Sequence, residues 1–189
     1  MIRIRPFLRN PVVGFSSGAL VLFWALFLFP RSNKAFQGPG DPHIAALQLS
    51  WGLNRFEDVL GSWIQSRGPS AIDSLRNQLV VLDLLFPVTY ALLGGALLAF
   101  VWPAGALSNW FLGAPFIACV ADWAENAFLL IAIRDIPPVE HGAIPVWAVI
   151  TASSFASLKF ALLLSTVSLV VVGLLRSWWA SSEKPRGTR

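Results

Sequence analysis

Six side chains in apolar surroundings carry the chemistry open to this sequence: Asp83, Tyr90, Asp122, Glu125, Asn126 and Lys159. Three carboxylates, a phenol, an amide and an ammonium can hold protons, pair as ions, or surround a hard cation. Their spacing groups them. Asp83 and Tyr90 lie seven residues apart in "LDLLFPVTYALLGG" and so share a helix face, with Pro87 between them. In "ACVADWAENAFLL", Cys119, Asp122, Glu125 and Asn126 recur at three and four residues and fall within one stripe. Lys159 shares its side of a helix with Ala152, Ala156 and Thr166.

Ionisable groups in lipid are costly. Asp or Lys at a helix centre opposes insertion by about 2.5–3.5 kcal/mol on insertion scales. Three acids and one lysine would together oppose it by roughly 10 kcal/mol if all faced lipid. They are therefore expected to face inward and satisfy one another. At about 1.5 Å per residue, Asp83 lies roughly 6 Å, Glu125 roughly 12 Å, Asp122 roughly 16 Å and Lys159 roughly 20 Å below the outer ends of their apolar runs. Side chains lean toward the N-terminus of their helix, so Glu125 leans inward while Lys159 reaches outward. The two are expected to meet near Asp122. One lysine does not neutralise three acids, so protons, a cation or water must supply the rest.

The elements that position these residues follow from composition. The chain has 189 residues, 56% hydrophobic and 13% charged, against about a quarter charged in soluble domains. Its apolar residues fall in four blocks, each near the roughly 20 residues that cross a bilayer. The fold class expected is all-α: a polytopic membrane protein, one domain over residues 1–189, with a bundle of four transmembrane helices at about 11–30, 71–102, 107–134 and 145–176. The first block reads as a retained signal anchor, since its apolar run exceeds a signal peptide's and no cleavage site follows.

Between the first two spans, "GPGDP" breaks the chain. Asp41 then reads as an N-cap with Pro42 at the first helical position. Leu49, Leu53, Phe56, Leu60 and Trp63 form an apolar stripe, with Asn54, Arg55 and Asp58 opposite. An amphipathic helix at about 42–66 is expected, lying on the membrane or covering the bundle. Ser70 and Asp73 resemble a capping box that starts the second span early. Ala91, Gly95 and Ala99 would let a neighbouring helix approach closely.

Arg3, Arg5 and Arg9 precede the first span; Arg176, Lys184, Arg186 and Arg189 follow the last. By the positive-inside rule both termini are expected in the cytoplasm. Trp102, Trp110, Trp178 and Trp179 would form the cytoplasmic aromatic belt, and Trp147 would sit in the outer one.

"DLLFPVTY" followed by "DWAEN" resembles the D-x-x-F-P-x-x-Y and D-x-x-E-N pair of small four-helix bacterial integral membrane proteins of unassigned function, over about residues 45–135. The resemblance implies no activity. It draws attention to Asp83, Tyr90, Asp122, Glu125 and Asn126.

The roles that remain are a structural subunit, a lipid- or apolar-ligand-binding protein, or a proton- or cation-linked transporter or sensor. A two-carboxylate hydrolase would need Asp83 and Asp122 face to face, against depths about 10 Å apart. His43 and His141 are expected outside the membrane, which leaves no usual metal-ligand set there. An oxygen-only Ca²⁺ or Mg²⁺ site from Asp83, Asp122, Glu125 and Asn126 has no specific signature. Phosphate loops and nucleophile elbows are missing from the sequence. These features argue against an enzyme and name no cofactor. Cys119, the single cysteine, reads as a packing residue. Membrane lipid is the expected partner, with a further membrane subunit the other one considered. Nucleic acid is excluded by the lack of a basic face with interleaved aromatics.

Overall fold

The computed structural model describes residues 4–134 and 144–182 and is helical throughout its regular parts. We label α1 Ile4–Leu8, α2 Pro11–Phe36, α3 Ile44–Gln48, α4 Leu53–Arg67, α5 Ser70–Val101, α6 Ala106–Ala132 and α7 Val146–Ser182. Four of these, α2, α5, α6 and α7, are long and apolar enough to cross a membrane.

Each boundary has a local cause. Asn10 accepts the Val12 amide at 3.0 Å and Pro11 opens α2, the arrangement that satisfies a helix's first donors. Two helices widen into a π turn. In α2 it spans Trp24–Leu28 and precedes Pro30. In α5 it spans Gln78–Leu82 and precedes Pro87. A proline presses on the carbonyl four residues back and donates nothing to it. In α2 the wider turn contains that carbonyl, at Leu26, and in α5 it ends one residue before it, at Leu82.

The connection after α2 differs from the single amphipathic helix expected at 42–66. It forms two helices with a break at Leu49–Gly52, where Trp51 has φ 52°. The Trp51 amide leaves the helical ladder and donates to Ser153 Oγ on α7 at 3.1 Å. Tertiary bonding thus outweighs local helix propensity. Leu49 lies at the break and is exposed, while Val59 joins Phe56, Leu60 and Trp63 on the buried face. Asn54, Arg55, Glu57 and Asp58 are exposed on the other face, as the stripe requires.

Asp41 is not an N-cap. Its carboxylate accepts the Gly38 amide at 2.7 Å and Ser66 Oγ at 3.0 Å, closing the loop onto the end of α4. Nor do Ser70 and Asp73 form a capping box. Asp73 pairs with Arg76 at 3.1 Å instead, though α5 does begin at Ser70, before its apolar part. The α4 face packs with Phe36, Leu75, Leu129, Ile133 and Val149, covering one end of the bundle. Trp63 anchors it through a ring 4.9 Å from Phe36 and an indole bond to Pro42 O at 2.9 Å.

Within the bundle, α6 packs along α7, α5 packs on both, and α2 packs on α5. Ala91, Gly95 and Ala99 are buried on α5, and Ala152 and Ala156 on α7. Gly94 marks a close approach of α6 and α7 to α5. A Cβ there would lie 3.1 Å from Pro115 Cβ and 3.2 Å from Thr166 Cγ2. Two arginines close helix C-termini. Arg76 donates to Ile133 O at 2.6 Å and Arg134 O at 2.9 Å beyond α6. Arg5 donates to Trp102 O beyond α5. Both satisfy carbonyls that have no helical donor.

Candidate functional site

The polar centre forms where α5, α6 and α7 meet. Lys159 Nζ lies 3.0 Å from Asp122 Oδ1 and 2.5 Å from Glu125 Oε2. All three side chains are buried, Glu125 completely. Lys159 therefore sits between two acids, as the depths and opposed leans of α6 and α7 predict. Asp122 is fully engaged, because Tyr90 donates to its other oxygen at 2.9 Å. Glu125 Oε1 has no hydrogen-bond donor.

A second connection joins α5 to α6 through the backbone. Pro87 carries no N–H, so the carbonyl of Asp83 loses its helical donor. Asn126 Nδ2 donates to that carbonyl at 3.3 Å. Trp123 Nε1 donates to the next one, Leu84 O, at 2.9 Å. The two short motifs thus interlock: Tyr90 of one bonds Asp122 of the other, and Asn126 bonds the carbonyl that Pro87 leaves free. An amide side chain serves where water would otherwise be needed.

Asp83 behaves differently. Its backbone carbonyl is bonded, but its carboxylate has no hydrogen-bond or ion-pair partner among the described residues. The side chain is nonetheless only 9% exposed. It lines a half-enclosed cavity of about 220 Å³ that Tyr90, Asp122 and Lys159 also border. Asp83 and Asp122 thus border one cavity without bonding to each other among the described residues. Gln78 and Asn33 join them there. Gln78 Oε1 and Asn33 Oδ1 are buried with no partner. Neither amide stands out in the sequence, because each lies where an apolar run meets a loop and its inward aim depends on helix register.

The cavity reaches from Asp83 and Phe86 on α5 to Phe29 and Asn33 on α2 and to Phe160 and Leu163 on α7. Since α2 packs principally on α5, a seam between α2 and α7 is left for the cavity to occupy. Aromatic rings line its apolar side, with Phe29 and Phe86 edge-to-face at 4.8 Å and Phe86 against Tyr90 at 5.3 Å.

Among the described residues no three His, Cys, Asp or Glu are arranged to hold a metal ion. His43 is exposed just before α3, and His141 lies outside the described residues. Cys119 is buried in the α6 stripe. Each Asp122 oxygen accepts one bond, from Tyr90 and from Lys159. The cavity thus combines an ion pair, acceptors without partners and aromatic rings on its border. No protein-family model, curated protein or solved structure matches the chain.

Proposed function

We propose that this is a four-span integral membrane protein that binds a lipid-like amphiphile in its polar cavity. The carrying observation is the cavity itself. Ions buried only to hold helices together are expected to be satisfied. Lys159, Asp122 and Tyr90 meet that expectation; Asp83, Gln78, Asn33 and one oxygen of Glu125 do not. The volume suits a head group, since pockets that enclose whole small ligands are commonly about 300–1,000 Å³. A tail would leave through the α2–α7 seam. The basic residues at both ends support a reading in which the termini are cytoplasmic and the cavity lies in the outer half of the membrane.

Occupancy is the test. The full chain, purified in mild detergent, is expected to carry about one extractable amphiphile by mass spectrometry. Leu163→Trp, which fills the seam, is expected to lose it at an unchanged melting temperature. Equal occupancy in both proteins would remove the cavity as the binding site. For orientation, in a Cys119→Ala background, an impermeant maleimide added to intact cells should label Arg55→Cys and spare Arg9→Cys. The reverse pattern would invert the topology.

A second reading is favoured by one observation. Three buried carboxylates face a single lysine, and Glu125 Oε1 has no donor. The shortfall of positive charge fits a proton- or cation-linked transporter or sensor. Proton or cation flux into proteoliposomes, abolished by Glu125→Gln, would support that reading. Absence of flux would remove it.

A further inference from the structure

We propose that the cavity selects an amphiphile whose head is a primary ammonium, a long-chain amine carrying no phosphate. The inference rests on the amphiphile-binding role above and gives its ligand a chemical class. Three acceptors point to it: the Asp83 carboxylate, Gln78 Oε1 and Asn33 Oδ1 border one cavity and have no partners. A primary ammonium brings three N–H donors and a positive charge. Its charge would answer Asp83, and its N–H groups match the kind of partner that the two amide oxygens lack.

The same residues argue against other heads. Lys159 is the cation among the residues bordering the cavity, and two carboxylates already claim it. A phosphate or carboxylate head would meet Asp83 and Asp122 with no free positive charge to offset them. For a metal ion the described residues offer no group of three His, Cys, Asp or Glu. A neutral hydroxyl would leave Asp83 without a counter-charge. The rings of Phe29 and Phe86 border the cavity and give it an apolar side for the first methylenes of a tail, while Phe160 carries Lys159 over its ring at 4.9 Å.

The proposal is tested by photo-crosslinking the full chain in phosphatidylcholine vesicles. The probes share a twelve-carbon, diazirine-bearing chain and end in a primary ammonium, a trimethylammonium, a hydroxyl or a phosphate. The amine is expected to label α2 and α7 residues around the seam at least ten-fold more than the alcohol or the phosphate. Asp83→Asn should reduce amine labelling to the alcohol level. Gln78→Leu should reduce it in part, and serves as the readout if Asp83→Asn fails to fold. Equal labelling by the alcohol or the phosphate would overturn cation selectivity and leave amphiphile binding standing. Equal labelling by the trimethylammonium would overturn N–H recognition by the three acceptors. Seam labelling by none of the probes would overturn both the selectivity and the binding role.

Discussion

Lys159 is the residue on which the buried centre depends. It offsets Asp122 and Glu125 together, at 3.0 and 2.5 Å. Removing one member of a buried ion pair strands the other and costs about 3–5 kcal/mol. Lys159→Met strands two acids and is expected to reach that range in chemical unfolding from detergent. Glu125→Gln leaves Asp122 on the lysine and keeps an acceptor, so its cost is expected to be about 1–2 kcal/mol. Glu125→Ala should cost more than Glu125→Gln, since it adds a cavity to the lost contact. Equal losses for Lys159→Met and Glu125→Gln would mean that the lysine does not bridge both acids. This contact was legible in the sequence because depth and side-chain lean follow from helix pitch alone. The lone state of Asp83 was not, because it depends on which neighbours its carboxylate fails to reach.

At the scale of helices, the bond from Asn126 to the Asp83 carbonyl links a proline on α5 to an amide on α6. The bond matters because Pro87 withholds the helical donor. A double-mutant cycle isolates it. Asn126→Ala is expected to cost about 0.6–1.7 kcal/mol with Pro87 present, the span seen for polar contacts between membrane helices. It should cost measurably less after Pro87→Ala, which returns an N–H to the carbonyl. Additive costs would remove the pairing from the account. Both motifs were readable as separate strings with a shared polar face. Their interlock was not, since it requires the register of two helices thirty-nine residues apart, Pro87 against Asn126. The π turns and the break at Trp51 were hidden for a related reason. Each is set by a contact remote in sequence or by crowding one turn away.

For the whole molecule, four apolar runs were enough to yield four long helices, because a span's length and composition are properties of one segment. The amphipathic face of α4 was equally local and equally legible. The seam between α2 and α7 was not, because it arises from where helices fail to pack. On the proposed reading the buried acids have two roles: Asp122 and Glu125 pair with Lys159 across the bundle, and Asp83 takes a partner from outside it. Structure and binding should therefore separate by mutation, as they do where a site retains an unsatisfied group for function. The decisive measurement compares Asp83→Asn with Asp122→Asn for thermal stability and for bound amphiphile in the same preparations. Asp83→Asn is expected to match or exceed the wild-type melting temperature while losing the ligand at least ten-fold, and Asp122→Asn to melt lower. Full occupancy in a folded Asp83→Asn protein, or its collapse together with Asp122→Asn, would contradict the assignment of Asp83 as the binding acid.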